Sequence, residues 1–303
     1  MWAVTRAFGI DISSYDYSAD GKTLMDFDAV AKNTEPVDFI AIRAGISWGY
    51  TDKWFARSWS ETKRIHKPRI AYHVPYFGED AARQMDHLFR LTSSADWVHD
   101  RLCLDLEVAH DNTKSKITGT TNRLLNICLQ RTGRYPILYS RTGWINQYLD
   151  VSALPTVSWW LALYRYRLPY PLYTPEYAAA PILPKGVSTY LIHQTAERGK
   201  PIGGAGHYMD YDRWNGTSSD VYKYFGYTGE EPTQPVGVRY RCQALWGMKV
   251  RTEPDTASKD TGERIAYNQV FTVYETVIYP GITWGRLDPV DQKWVALNWS
   301  EKI

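Results

Sequence analysis

Apolar runs of strand length alternate with amphipathic stretches of helical length through the first half of the chain, and this order restricts the fold more than any other feature. Residues 37–44 (VDFIAIRA) form an apolar run suited to a strand buried on both faces. Residues 54–65 then place Phe55, Trp59 and Thr62 on one helical face, and the pattern stops before Pro68. Residues 69–76 read as the next strand, and residues 80–91 set Met85, Leu88 and Phe89 at helical spacing. A strand at 102–108, a helix at 117–132 and a strand at 134–140 continue the series, with Gly133 where a left-handed helix cap is favoured. Parallel strands joined by crossover helices satisfy such an order. Further strands are expected at 158–164, 189–194 and 208–211, with too little helical pattern between them for crossover helices. No Gly-rich phosphate turn follows the first strand, so the expected α/β fold is a closed barrel whose helices fade toward its end, not a doubly wound sheet.

Residues 226–237 (GYTGEEPTQPVG) are polar, rich in Gly and Pro and without periodicity, which is the composition of a linker. Beyond them, short strand-like runs at 238–242, 248–251, 270–274, 283–287 and 293–297 have no helix among them, as in a small all-β barrel. The chain therefore reads as a barrel domain at 1–225, a linker at 226–237 and a second domain at 238–303.

Composition narrows the function. The formal net charge is only +2 and the cations are scattered, so nucleic acid is not an expected partner. Cys103, Cys128 and Cys242 are odd in number and widely spaced, fitting neither a disulfide framework nor a zinc set; they are expected to be small buried hydrophobes. No His lies in an HExxH or a Cys-paired arrangement, so neither a metal nor another cofactor is expected. No run reaches membrane-spanning length, and the first residues lack the basic-then-apolar order of a leader; the expectation is a protein made in the cytoplasm and not inserted in a membrane. The 13 Trp and 23 Tyr outweigh 8 Phe, a surplus of rings with polar tips that suits sugar stacking, although most are expected in the core.

Acidic residues recur in one pattern: Asp11 with Ser13, Asp105 with Glu107, and Asp210 with Asp212. In a strand, residues i and i+2 share a face, so each pair projects together while its apolar neighbours point away. A carboxylate in an apolar strand costs several kcal/mol unless it has partners or meets water, so such residues gather at strand ends in a wet cleft, in parallel barrels at the C-terminal mouth. For Asp11 or Asp210 alone, a cap or turn serves equally well. Asp105 and Glu107 together inside LCLDLEV favour chemistry over structure. Two adjacent carboxylates cannot both ionise cheaply, so one can keep its proton as a general acid beside an ionised partner, which is what glycoside cleavage requires.

The segments GIDIS at 9–13, FIAIRAG at 39–45, AYHVPYF at 71–77, LDLE at 104–107, PILYS at 136–140, WWLALY at 159–164, HQ at 193–194 and MDYDRW at 209–214 resemble, in order and spacing, glycoside hydrolase family 25, the Chalaropsis-type lysozymes of bacteria, fungi and phages. The resemblance spans most of residues 8–216. It implies an irregular TIM-like (β/α)5(β)3 barrel that hydrolyses the β-1,4 bond after N-acetylmuramic acid in bacterial peptidoglycan, leaning toward substrate assistance with net retention. It also implies Glu107 as the general acid, with Asp105, Asp11 and Asp210 as the other acids of the groove floor. Tyr72, Tyr139, Trp160, Tyr164 and Gln194 fall where similar proteins line the sugar groove; as strand aromatics, the rings otherwise belong to the core. His73, on the opposite strand face from Tyr72, is expected to be a satisfied core histidine.

Two departures from the family touch substrate contacts. Arg43, counted among the groove residues, stands where members often carry Lys with an acid shortly after, and Tyr15 replaces a common Trp. The C-terminal segments 249–254, 271–274 and 284–286 resemble bacterial SH3-like domains that bind cell walls, with Lys293-Trp294-Val295 in place of the usual Gly-Trp-Val. Trp246, Trp284, Trp294 and Trp299 are either core residues or ligand platforms. The overall expectation is a phage or prophage endolysin reaching the wall after release. The alternatives are a non-catalytic glycan-binding or phage structural protein on the same barrel, and another polysaccharide such as chitin as substrate.

Overall fold

The computed structural model describes residues 6–164, 180–204, 206, 208–227, 238–278, 281–287 and 293–303. Two compact units divide the chain between Glu231 and Pro232. Residues 228–237 of the expected linker lie outside the described residues.

The first unit contains β1 (Phe8–Ile12), α1 (Phe27–Ala31), β2 (Val37–Ile46), β3 (Tyr50–Thr51), α2 (Phe55–Arg64), β4 (Arg69–Val74) and α3 (Ala81–Leu91). It continues with β5 (Arg101–Asp105), α4 (Lys114–Thr132), β6 (Ile137–Arg141), α5 (Thr142–Tyr148), β7 (Trp159–Ala162), β8 (Ile192–Gly199), β9 (Met209–Trp214) and α6 (Ser218–Tyr224). Strands β1, β2, β4, β5, β6, β7, β8 and β9 neighbour one another in that order, and β9 pairs back onto β1, so eight strands close a barrel in a mixed α/β unit. β3 pairs only with β2, as the return strand of a hairpin.

Pairing is parallel from β1 through β8, whereas β9 runs antiparallel to both neighbours. A parallel return needs a crossover of a dozen or more residues, and residues 200–208 between β8 and β9 are too few for one. Asp210 sits at the start of β9, and the reversal brings it to the same mouth, opposite Asp11. Some boundaries move. β5 stops at Asp105, leaving Glu107 two residues beyond it; β8 begins at Ile192 and runs to Gly199; α1, α5 and α6, all short, were not read from the residues.

The helices end where local chemistry stops them. The Asp80 carboxylate accepts from the Arg83 N–H at the start of α3, the Thr113 side chain from the Lys116 N–H at the start of α4, and Gly133 at φ 76° closes α4 in the left-handed region. Inside the barrel the lower layer is apolar, with Phe39, Ile70, Ile137 and Trp214 packed against Val221 of α6 and the adjacent Phe225. Gly9 makes room for this layer, because the Phe39 ring lies 2.3 Å from where a Cβ would stand. With the lower half filled by hydrocarbon, polar inward residues can only occupy the upper half, near water.

The second unit contains β10 (Val238–Cys242), β11 (Met248–Arg251), β12 (Asp260–Ile265), β13 (Val270–Val273), β14 (Glu275–Ile278), β15 (Thr283–Arg286), β16 (Trp294–Ala296) and β17 (Ser300–Lys302). They form a three-stranded sheet, β13-β10-β17, and a five-stranded sheet, β12-β11-β16-β15-β14. Cys242, Val250, Ile265, Val273 and Val295 make the core, and Gly285 lets the Val273 side chain come within 2.8 Å of its missing Cβ. β12, β14 and β17 escaped the sequence reading; β12 (DTGERI) is almost wholly polar and has one buried residue, Ile265. Among the described residues no helix is long and apolar enough to cross a membrane.

Candidate active site

Strand parity delivers the acids. Asp11 on β1 and Asp210 on β9 are register partners, and Asp105 ends β5 beside Tyr139 of β6. Leu106 keeps the chain in register for one more residue through its N–H to the Tyr139 carbonyl (2.9 Å), which aims Glu107 into the same space. Asp11, Asp105, Glu107 and Asp210 all line one cavity of about 220 Å³ at the mouth, together with Arg43, Tyr72, Tyr139, Trp160 and Gln194. Ser13, Tyr15 and Cys103 complete its walls. A second hollow, of about 340 Å³, shares Asp11, Ser13, Tyr15, Tyr72 and Asp210 and adds Asp16, Glu197 and Tyr208, so the mouth opens into a groove longer than one sugar-sized pocket.

The floor is held by a directed chain of hydrogen bonds. Tyr139 and Tyr164 both donate their hydroxyls to Gln194 Oε1, at 2.7 and 2.6 Å. That leaves the Gln194 amide nitrogen to donate to Asp11 Oδ2 at 2.7 Å, so two tyrosines orient one amide toward one carboxyl. Tyr164 thus stands behind Gln194 and is not among the residues facing the cavity. Trp160 Nε1 donates to Asp212 Oδ1 at 2.8 Å, while Asp212 Oδ2 is buried with no N–H or hydroxyl donor and the carboxyl's other hydrogen-bond neighbour is the Asp11 carboxyl. Asp105 Oδ1 is likewise buried without a partner. An ionised carboxylate with an unsatisfied buried oxygen is costly, so both groups favour the protonated form.

Electrostatics follows from that burial. Removal from water is the first cause in each case: it pushes the Asp11 carboxyl up to about 7, and lifts Asp105, Asp210 and Asp212 well above the usual carboxylate range. Neighbouring charge adds to it, Glu107 acting on Asp105 and Asp11 on both Asp210 and Asp212. Asp16 is raised to about 7 as well, again mainly by burial. Glu107 is raised by burial too, against the opposing pull of Arg141, whose Nε lies 3.6 Å from Glu107 Oε1. Glu107 keeps 34 % of its side chain open to solvent, whereas Asp11 and Asp105 are buried.

Arg43 reaches the cavity from β2, held by Asp52 at 3.0 Å and by the Ser14 hydroxyl at 3.0 Å. The acid that the sequence lacks immediately after Arg43 is supplied by Asp52, just past the β2–β3 hairpin. Tyr15, 79 % exposed, lies against the Arg43 guanidinium (5.1 Å) and offers a flat ring at the rim. Sequence reasoning missed Arg141, which the same-face rule from Tyr139 would have found; it set Asp212 on the face of Asp210 but did not count it among the site residues. His73 is buried on the outer strand face as expected, but it is not satisfied: neither ring nitrogen meets a partner, and burial lowers its pKa to about 3, so it stays neutral. Cys103, Cys128 and Cys242 are free and buried. Among the described residues no group of His, Cys, Asp and Glu is placed to hold a metal.

A barrel with several carboxyls converging on a half-open cavity, one of them raised and reachable, defines a carbohydrate-cleaving hydrolase. The chain belongs to glycosyl hydrolases family 25, whose profile matches residues 10–199. No curated protein matches it in sequence. The fold is shared with a family 25 glycosyl hydrolase from Bacillus anthracis (18 % identity, 76 % of this chain and 96 % of that one, TM-score 0.59). It is shared also with a muramidase from Trichobolus zukalii (21 %, 73 % and 99 %, TM-score 0.58) and with the catalytic domain of endolysin ply40 from bacteriophage P40 of Listeria monocytogenes (17 %, 73 % and 97 %, TM-score 0.54).

Proposed function

We propose that the chain is an N-acetylmuramidase, cleaving the β-1,4 bond between N-acetylmuramic acid and N-acetylglucosamine in bacterial peptidoglycan. The carrying observation is that carboxyls from β1, from β9 and from the end of β5 meet in one cavity, with Glu107 partly open beside the buried Asp105. Glu107, its pKa raised, gives its proton to the bridging oxygen as the C1–O bond breaks. The substrate's own N-acetyl oxygen bonds to C1 in the same step, and the carbonyl oxygens of the floor carboxyls Asp105, Asp11 and Asp210 orient the N-acetyl group and point their dipoles at the positive charge that develops. Water then attacks C1 and gives its proton to Glu107 as the bond from C1 to the N-acetyl oxygen breaks, which frees the sugar with its configuration retained. Tyr72, Tyr139, Trp160, Gln194 and Arg43 hold the sugar rings, with Tyr164 acting through Gln194.

Within this reading residues 1–225 are the catalytic domain, residues 226–237 the linker, and residues 238–303 an SH3-like domain that binds the wall. The protein then works as a phage or prophage endolysin on the wall after release, a setting supported by the fold it shares with an endolysin. The test is to incubate the purified protein with peptidoglycan and identify products by mass spectrometry. New reducing ends on N-acetylmuramic acid, lost in a folded Glu107→Gln protein, are expected. Wall lysis retained by that variant overturns the assignment, and a wild-type protein that binds glycan without making ends would be a non-catalytic barrel.

A further inference from the structure

The second unit carries an exposed aromatic groove that its own folding does not explain. Four tryptophans occur there, and the structure sorts them: Trp284 and Trp294 are buried, whereas Trp246 is 97 % exposed and Trp299 is 67 % exposed. Both exposed indoles, with Leu245 at 74 %, line a hollow of about 560 Å³. Their placement is built into the backbone. The turn closed by the Gly247 N–H on the Ala244 carbonyl (2.9 Å) carries Trp246 outward, and Gly247 stands at φ 73°, where a Cβ would press on the Ile265 carbonyl at 2.8 Å. Trp299 ends the short 3-10 helix Leu297–Trp299 and is tied to the same turn by its carbonyl, which accepts from the Gln243 N–H at 2.8 Å.

The rest of the lining decides what the groove can hold. Gln243, Thr256, Lys249 and Arg251 border it, and among the described residues its lining includes no carboxylate, the nearest acid of that rim being Glu301, which accepts from Gln243 Nε2 at 3.0 Å. Lys249 sits loosely on Asp260 at 3.6 Å, an acid already held by Arg264 at 2.8 and 3.0 Å; Arg251 donates to the neutral Ser258 carbonyl and forms no ion pair among the described residues. A lipid tail or an apolar helix would bring no anion to Lys249 and Arg251. A second copy meeting the groove face to face would oppose like cations. A pyranose strand satisfies both halves of the surface: its C–H faces lie on the indoles, and its hydroxyl, N-acetyl and carboxylate oxygens accept from the rim.

We infer that the Trp246–Trp299 groove binds the glycan strand of the wall polymer where it is stripped of peptide and its muramic acid lactyl groups are free carboxylates. The assignment rests on the wall polymer being the substrate. It adds a second glycan site on the chain, one that keeps the barrel at high local substrate concentration and selects glycan already processed by an amide-cleaving enzyme.

The test uses the full chain carrying Glu107→Gln, so that ligand is bound and not consumed, titrated calorimetrically with a peptide-free oligosaccharide of alternating N-acetylglucosamine and N-acetylmuramic acid. Two sites per chain are expected. Trp246→Ala and Trp299→Ala should each weaken one site tenfold or more without changing the circular dichroism spectrum, with Trp246→Tyr restoring most of the affinity. A neutral chitin oligosaccharide should bind that site at least threefold more weakly, and Lys249→Met should erase the difference. One site insensitive to both tryptophans overturns the inference, as does a groove that takes only isolated stem peptide or anionic vesicles, or a dimer broken by Trp246→Ala that binds no sugar there. Failure of the muramidase reading looks different: wild-type protein then makes no reducing ends while the tryptophan-dependent site persists.

Discussion

The barrel mouth and the groove of the second unit are both open hollows on one chain, yet they treat charge in opposite ways. At the mouth, Asp11 and Asp16 are buried and pushed up to about 7, whereas on the second unit the half-buried Asp260 is held down at about 2, first by its bonds to Arg264 and then by the Gly262 N–H. The mouth spends burial on keeping protons where a reaction needs them; the groove leaves its cations in water and its aromatic faces bare. The difference shows that a carboxylate's chemistry is set by what surrounds it: six carboxyls withdrawn from water are all raised toward the protonated form, and one carboxylate among cations is only a salt bridge.

The sharpest way to separate the two regions is to remove the proton donor. Glu107→Gln should lower turnover by about 10²- to 10⁴-fold while leaving glycan binding by the second unit unchanged, read as reducing ends formed against binding to intact walls. A comparable loss of both would mean that the regions are not independent.

Next in size is the pH profile. Because Glu107 must be protonated, activity should fall as pH rises through its raised pKa. Arg141 opposes that rise, so Arg141→Ala should move the alkaline limb of kcat/KM upward, by up to about one pH unit, while glycan binding by the second unit is unchanged. An unmoved limb would show that the 3.6 Å pair does not reach the reacting proton.

Stability offers a third contrast. Asp11 keeps its proton in the folded barrel up to about pH 7 but loses it near 4 when unfolded, so between those values the folded state binds more protons and the barrel should weaken as pH rises. Asp11→Asn should remove part of that slope, raising the melting temperature at pH 8 by a few degrees and changing little at pH 4. The smallest effect is expected in the second unit and has the opposite sign. Asp260 favours the folded state above about pH 4, a contribution lost as pH falls toward 2, so Asp260→Asn should shift melting near neutral pH by no more than about 2 °C and vanish in acid. A larger shift from Asp260→Asn than from Asp11→Asn would reverse the contrast.

Much of this was legible in the residues themselves. Helical spacing located α2, α3 and α4, the polar punctuation of β7 to β9 signalled a barrel losing its helices, and the i, i+2 rule put each acid pair on one face. β12 was hidden because its sequence is almost all polar and only pairing with β11 makes it a strand. Glu107 read as a strand residue because LCLDLEV alternates smoothly, although the ladder ends at Asp105. Trp246 and Trp299 could not be told from Trp284 and Trp294, since a tryptophan's exposure depends on which turn carries it.

The sequence by itself determined what depends on near neighbours along the chain: which side chains share a face, where helices begin and stop, and that acids recur at strand ends. These follow from backbone geometry repeated every two or three-to-four residues. Only the tertiary structure decided that β9 turns back to set Asp210 against Asp11, that Tyr139 and Tyr164 aim Gln194 at that carboxyl, and that Arg141 rather than Arg43 lies closest to Glu107. Those outcomes join residues up to 199 positions apart in the chain, and burial, which shifts their protons, exists only once the barrel has closed.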